Sequence, residues 1–221
     1  MKKHLKNRKK AALNRKPQKV SKGFTLVELL IAAVISSFVI GAAGFGLVTM
    51  MQSNQTSDAK TQRRVELSRA LDYIAEDIKM AKRVAAASSY TISSPSPSGA
   101  VATPVLELTI PDATGTDTKV VYYLNNINNA SGVWLKPAVI KRVDNVTGTT
   151  IAGSTGNELV DAIITTGTAP SCSGTLAGTG GFYACIAADN RTVDLYLYGK
   201  LANSSETFAV SSKVFARSTP P

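Results

Sequence analysis

Residues 22–51 read KGFTLVELLIAAVISSFVIGAAGFGLVTMM, and the rest of the chain is organised around them. From Phe24 to Met51 the stretch contains no proline and a single charged residue, Glu28. About 20 apolar residues in a helix are enough to cross a bilayer, so a helix of this length spans a membrane with some tilt. A carboxylate inside hydrocarbon costs about 2.5–3.5 kcal/mol on insertion scales. The sequence therefore predicts a membrane-spanning helix whose acid needs a partner.

The excess positive charge lies before this helix. The formal net charge is +10, but residues 1–23 hold ten Lys or Arg and no acid, which leaves 15 basic against 15 acidic residues in the remainder. By the positive-inside rule, the basic segment keeps the N-terminus in the cytoplasm and sends the rest outward. A polybasic tail for nucleic acid or anionic lipid is the alternative reading of this segment. Because the remainder is neutral, we expect no nucleic-acid partner.

The segment KGFTLVELL, residues 22–30, resembles the processing and methylation signature of type IV prepilins and of the related type II secretion pseudopilins. The resemblance implies cleavage between Gly23 and Phe24, N-methylation of Phe24, and a need for Glu28 in assembly. In a filament of parallel subunits, the freed amine of Phe24 on one chain can pair with Glu28 of the next. The glycine precedes the apolar run, unlike the cleavage site of a secretory signal, so the helix stays with the mature protein. A plain signal anchor with a tolerated acid is the alternative.

The same resemblance implies partners and a location. The partners are other pilin or pseudopilin subunits, prepilin peptidase, the inner membrane and an assembly platform protein. Before assembly the chain would cross the inner membrane once, with its N-terminus in the cytoplasm. Afterwards it would belong to an extracytoplasmic filament, in the periplasm or on the cell surface.

The helix is expected to continue beyond the membrane. Apolar residues recur at three- and four-residue steps from Leu67 to Ala85, with charged residues elsewhere around the wheel. No proline occurs between Phe24 and Ala87. We therefore predict one helix from Phe24 to Ala87, with residues 24–51 in the membrane or filament core and residues 52–87 as an amphipathic continuation.

Three glycines, Gly41, Gly44 and Gly46, interrupt the apolar half of this helix. Each costs roughly 1 kcal/mol relative to alanine. Close approach of helices in the membrane is one explanation, since small residues let helix backbones come together. The other follows from the resemblance, because in assembled pilins part of this helix often melts near a glycine or a proline.

Residues 88–99, rich in Ser and Pro, predict a linker, and the rest of residues 88–221 predicts an extracytoplasmic β-rich domain. Short apolar or alternating runs separated by Gly, Asn, Ser and Thr predict strands at residues 106–110, 119–124, 137–143, 158–165, 192–198 and 207–217. One helix followed by short strands indicates an α+β, pilin-like fold, with an antiparallel sheet packed on the helix. The order of these blocks is similar to that of minor pilins and J-type minor pseudopilins.

Cys172 and Cys185 are the two cysteines of the chain. In an extracytoplasmic domain they are expected to form a disulfide, worth about 3 kcal/mol in the loop-entropy treatment. A reduced, buried pair is the alternative. Metal binding is disfavoured, because two thiolates need further ligands.

Residues for catalysis are scarce. The only histidine, His4, lies in the leader, so the mature chain would have no Ser-His, Cys-His or His-ligated metal site. Asp72, Glu76 and Asp77 could form a carboxylate pair, but a solvated helix face is the expected role. The run GTLAGTGG lacks the lysine of a phosphate-binding loop. We expect no catalytic residues, no metal site and no cofactor.

The aromatic residues have two possible interpretations, packing in the core or formation of a binding surface. The residues concerned are Trp134, Tyr122, Tyr123, Tyr196 and Tyr198. Packing in the core or on a sheet face is the expectation. Together these patterns favour a structural subunit of a type IV pilus or type II secretion pseudopilus, and a minor one. The alternative is a filament-tip or membrane-anchored adhesin or binding module, and a membrane-anchored enzyme is the third class.

Overall fold

The computed structural model describes residues 23–112, 114–129, 132–153, 156–201 and 205–217. The predicted leader, apart from Gly23, lies outside the described residues. The chain divides into two compact units, Met1–Gln52 and Ser53–Pro221. One helix, α1 (Leu26–Met80), supplies the secondary structure of the described part of the first unit and opens the second.

The first unit consists, where it is described, of apolar helix with exposed side chains. Among the described residues, α1 is the one helix long and apolar enough to cross a membrane, and its most apolar part is not buried by the rest of the protein. Gly41, Gly44 and Gly46 lie within the unbroken helix, and a Cβ at each would meet nothing within 4 Å. The exposed apolar surface indicates contact with lipid or with other helices.

The second unit is built on strands. In the described residues they are β1 (Arg83–Ala86), β2 (Thr91–Ser93), β3 (Val101–Pro111), β4 (Asp117–Asn126), β5 (Ala138–Val143), β6 (Thr150–Ala152), β7 (Asn157–Ile163), β8 (Thr175–Thr179), β9 (Phe182–Ile186), β10 (Thr192–Lys200) and β11 (Thr207–Phe215). Nine of them form one antiparallel sheet in the order β1-β3-β4-β5-β7-β10-β9-β8, with β11 also paired to β10. Strands β2 and β6 form a separate parallel pair. The predicted α+β fold, with a long N-terminal helix and an antiparallel sheet, is confirmed.

Strand β4, in the large sheet, is buried on both of its faces. One core cluster joins the apolar stripe of α1, from Leu67 to Ile78, with sheet residues that include Tyr122 and Leu195. A second cluster covers the opposite side of β4 and combines Tyr123 with residues from the β2 and β6 region, such as Ile151. Alternate residues of β4 thus belong to different cores, because successive side chains of a strand point to opposite faces.

The helix ends earlier than its sequence predicts. We expected it to reach Ala87, but α1 ends at Met80 and residues 83–86 form β1, which pairs with β3 from Arg83–Thr109 to Ala86–Leu106. Alanine is a good helix former, so local propensity favours helix here. Pairing with β3 overrides that preference, since it satisfies the backbone and buries Val84 completely.

The six predicted strands correspond to β3, β4, β5, β7, β10 and β11, with boundaries that differ by a few residues. The alternation read in β10 is present, because Val193, Leu195 and Leu197 are buried and the residues between them are half-buried. Strands β1, β2, β6, β8 and β9 were not predicted. β2 lies inside the stretch read as a linker, and β8 and β9 lie among glycines.

Candidate assembly and processing site

The residues before α1 form a short exposed segment. Gly23, Phe24 and Thr25 precede the helix, and the Phe24 side chain is 85% exposed. A Cβ at Gly23 would meet nothing within 4 Å, so the fold itself does not require glycine there. Exposed chain outside a helix is where proteases cut most readily. The local geometry is therefore suited to cleavage between Gly23 and Phe24.

Thr25 and Glu28 cap the N-terminus of α1 reciprocally. The backbone N–H and the hydroxyl of Thr25 both donate to Glu28 Oε2, each at 2.9 Å, and the Glu28 N–H donates to Thr25 Oγ1 at 3.3 Å. This is a capping box, in which two backbone donors at a helix start are satisfied by each other's side chains. This capping role of Thr25 and Glu28 was not predicted, although Thr-x-x-Glu before an apolar run is its known signature.

The capping box uses one oxygen of the Glu28 carboxylate. Glu28 Oε1 accepts no hydrogen bond from the part of the chain that the structure describes. The carboxylate is folded back towards the residues that precede the helix, and a negative charge is favoured at a helix N-terminus. This arrangement leaves a carboxylate oxygen available to a cation beside Phe24.

The two cysteines are bonded to each other. Cys172 Sγ and Cys185 Sγ are 1.96 Å apart and the Cα atoms 5.6 Å apart. Cys185 is buried in β9, whereas Cys172 is half-buried in the loop before β8. The bond therefore fixes this loop to an interior strand of the sheet.

The glycine-rich run next to the disulfide forms a hairpin. Gly180 has φ +61° in the turn between β8 and β9, and Gly178 has φ +107°. A Cβ at Gly178 would lie 2.1 Å from the carbonyl oxygen of Phe182. These glycines are required by the turn and by the close approach of two backbones, since left-handed φ values disfavour other residues.

The three neighbouring carboxylates of α1 have different environments. Asp72 and Glu76 are exposed, but Asp77 is buried, so a solvated role is wrong for Asp77. The Tyr122 hydroxyl donates to Asp77 Oδ2 at 2.5 Å, and Arg142 Nε donates to the same oxygen at 2.7 Å. The burial of Asp77 could have been predicted from its position, because residue 77 falls on the buried stripe of α1, three residues after Ile74.

The charged side chains of this cluster are paired with one another. Arg142 also donates from Nη1 to Asp144 at 3.0 Å. Burial, followed by the bond to Asp77, raises the pKa of Tyr122 far above its usual range. Burial opposes the charge of Arg142, but its contacts with Asp77 outweigh this and raise the pKa of the guanidinium. Neither group titrates near neutral pH, so the cluster joins helix to sheet and is not set up for proton transfer.

The aromatic residues are not all in the core. Tyr122 and Tyr123 are fully buried, and Tyr196 and Tyr198 are half-buried on β10, as expected for packing. Trp134 departs from the expectation. It is 38% exposed and lies in the loop between β4 and β5.

Comparisons with known proteins agree with the N-terminal geometry. A family model described as a prokaryotic N-terminal methylation motif matches residues 18–48, which include Gly23, Phe24 and Glu28. No curated protein and no solved structure matches the chain. Among the described residues, no group of three or more His, Cys, Asp or Glu is arranged to hold a metal ion. The motif match supports a structural subunit of the type IV pilin or pseudopilin type.

Proposed function

We propose that the chain is a minor subunit of a type IV pilus or type II secretion pseudopilus, made as a precursor. Prepilin peptidase cleaves it between Gly23 and Phe24, and Phe24 is then N-methylated. The mature chain polymerises through the helix that begins at Leu26, and its role is structural and not enzymatic. The observation that carries this proposal is the methylation motif, which opens an apolar helix with exposed side chains.

The chemistry at the helix start supports the proposed processing step. Cleavage frees an amine at Phe24, four residues before a carboxylate that is already held at the helix N-terminus. A buried charge is costly unless it is paired. Pairing of the Phe24 amine of one subunit with Glu28 of its neighbour would therefore stabilise both charges. The membrane, other subunits, the peptidase and an assembly platform are then the partners of the helix.

Intact-mass analysis of the protein isolated from its host membrane tests the proposal. The expected mass is that of residues 24–221 with one added methyl group and one disulfide. A chain that still begins at Met1, or one cut beyond Met51, would contradict it. The proportion of this chain in sheared filaments separates the minor from the major role, since a minor subunit is present at a small fraction of the principal one.

A further inference from the structure

The loop between β4 and β5 exposes three consecutive apolar residues. Val133 is 93% exposed, Trp134 38% and Leu135 47%. Consecutive apolar residues with this much exposed surface are uncommon on a protein surface and indicate contact with another apolar surface. We call residues 133–135 the apolar loop.

The apolar loop is held in place from both sides. The Leu135 N–H donates to Asp161 Oδ2 at 2.9 Å, and the Leu135 carbonyl accepts the Ala162 N–H at 2.9 Å. Lys136 Nζ, the next residue, donates to the Asn128 carbonyl at 2.9 Å. The exposure of the loop is therefore part of the fold, and a contact made there loses little conformational entropy.

Leu135 also forms one wall of a cleft of about 480 Å³. The opposite wall is the start of the second unit's helical segment, from Thr56 to Glu66. The cleft is lined by three basic and two acidic residues, and both acids are paired: Lys60 Nζ lies 2.7 Å from Glu206, and Arg63 Nη1 lies 3.1 Å from Glu66, while Lys200 is the third basic residue. Arg63 also donates to the Asp161 carbonyl. The surface therefore suits an apolar contact more than a charged ligand.

The short stretch of chain between the predicted membrane span and the cleft limits how far the cleft can lie from the bilayer. Thr56, in the wall of the cleft, comes five residues after Met51, the end of the predicted membrane span. Five residues cannot extend beyond about 18 Å in any conformation. The headgroup layer adds roughly 5–8 Å to each side of the hydrocarbon. The surface that carries the apolar loop thus stays near the outer face of the bilayer.

We infer that, while the helix is inserted, the apolar loop docks into the outer headgroup region of the same membrane. Tryptophan suits this layer, because its ring is apolar and its indole N–H can still meet water or a headgroup. Val133 and Leu135 flank it with side chains that gain by leaving water. The contact holds the globular unit against the bilayer before assembly. This inference rests on the membrane-anchored state of the proposed function and does not require polymerisation.

Trp134 is the only tryptophan of the chain, so its fluorescence reports on this loop alone. The full chain is reconstituted into phosphatidylcholine vesicles that contain lipids with a nitroxide at a shallow or a deep position. We expect a blue shift of the emission, strong loss of emission with the shallow nitroxide, less with the deep one, and weak quenching by acrylamide. Zwitterionic vesicles are sufficient, because the residues proposed to enter the headgroup region, Val133 to Leu135, are uncharged.

Two results would overturn the inference. One is quenching by aqueous acrylamide as strong as that of free tryptophan amide, without quenching by lipid nitroxides. The other is shielding from both quenchers that disappears on dilution of protein in lipid, which would mean that a second copy covers the loop.

The double variant Val133→Ser, Leu135→Ser keeps the reporter and should lose most of the quenching by lipid. Phe215→Ser is the matched control, since Phe215 is 63% exposed at the far end of β11, and it should retain wild-type quenching. Filament incorporation of the same variants is scored separately. A wild-type chain that enters filaments but shows no lipid quenching, or a double variant that keeps wild-type lipid quenching, refutes the docking and leaves the proposed function standing.

Discussion

Asp77 joins the helix to two strands of the sheet. One of its oxygens accepts hydrogen bonds from Tyr122 on β4 and Arg142 on β5, and the residue is 5% exposed. Removing one partner of a buried ion pair costs more than the pair contributes, because the remaining charge is left without compensation. The stability of this contact therefore depends on the carboxylate being present.

We predict that Asp77→Ala lowers the free energy of unfolding by about 3 kcal/mol, since it leaves Arg142 with Asp144 alone and the Tyr122 hydroxyl without its acceptor. Glu76→Ala is the control. Glu76 also forms an ion pair at 2.7 Å, with Lys79, but both side chains are exposed, so its loss should cost less than about 1 kcal/mol. Urea unfolding of the full chain in detergent measures both. Equal losses in the two variants would show that burial does not determine the strength of this contact.

Tyr123 should make the protein sensitive to alkali. Burial, with a smaller effect from the charge of Glu158, raises the pKa of Tyr123 to about 12, against about 10 in an unfolded chain. The Tyr123 hydroxyl therefore stays protonated to a higher pH in the folded state than in the unfolded chain. The contribution of Tyr123 to stability is fully present below pH 10 and is lost as the pH rises from 10 to 12, at about 1.4 kcal/mol per pH unit.

Tyr123→Phe tests this dependence. The variant loses the hydrogen bond from the Tyr123 hydroxyl to the Gly153 carbonyl, so it should be about 1 kcal/mol less stable at neutral pH. Between pH 10 and 12 its stability should fall less steeply than that of the wild type, while below pH 9 the two curves should be parallel. Identical slopes above pH 10 would mean that Tyr123 ionises in the folded state as it does in the unfolded chain.

At the scale of elements, the long apolar helix could be predicted because its signal is contained in its own sequence. The strands with alternating or β-branched residues, such as β10, could be predicted for the same reason. Strand β1 could not, because its sequence Arg-Val-Ala-Ala favours helix and only pairing with β3 makes it a strand. Asp77 was read as solvated because its partners, Tyr122 and Arg142, lie 45 and 65 residues away in sequence.

The N-terminal site differs from the core in this respect. Thr25 and Glu28 are three residues apart, so their capping contact could have been derived from spacing alone. The exposure of Trp134 could not, because it depends on Asp161 and Ala162 holding the loop in place. Contacts between residues close in sequence, such as the Thr25–Glu28 cap, could be predicted. Exposure that depends on residues distant in sequence, as for Trp134, could not.

The β8–β9 hairpin should depend on its disulfide. The bond between Cys172 and Cys185 closes a loop with a sequence separation of 13, so we expect the double variant Cys172→Ala, Cys185→Ala to lose about 3 kcal/mol of unfolding free energy. Alanine adds no polar group at the buried position 185. Dithiothreitol should destabilise the wild type by a similar amount and leave the variant unchanged. A wild type that is insensitive to reductant under unfolding conditions would contradict a stabilising role.

At the scale of the whole molecule, the two units have opposite surfaces. The helix of the first unit exposes apolar side chains such as Phe38 and Phe45, whereas the second unit buries most of its large apolar residues in cores of its own and exposes others only locally, as in the apolar loop. The first unit therefore needs lipid or other helices around it, and the second gains from such a contact only at local patches. A subunit that moves from membrane to filament must exchange one apolar environment for another. In both environments the desolvation free energy of the Glu28 carboxylate must be offset by a favourable contact.

Glu28 has two roles to separate, the helix cap and the charge. Glu28→Leu removes both, and it should insert at least as well as the wild type because it removes about 2.5–3.5 kcal/mol of insertion cost. Glu28→Gln keeps the capping box, which accepts Gln as well as Glu, but removes the charge. Thr25→Ala weakens the cap at a cost of roughly 1 kcal/mol and keeps the charge.

If the carboxylate pairs with the Phe24 amine of a neighbouring subunit, both Glu28 variants should be made, inserted and cleaved, yet should be depleted from sheared filaments, while Thr25→Ala should enter them. Immunoblots of the membrane and filament fractions measure each step. Entry of Glu28→Gln at wild-type levels, with exclusion of Glu28→Leu and Thr25→Ala, would assign Glu28 to capping alone. Entry of Glu28→Leu at wild-type levels would refute both roles, because that variant has neither the charge nor the hydrogen-bond acceptor.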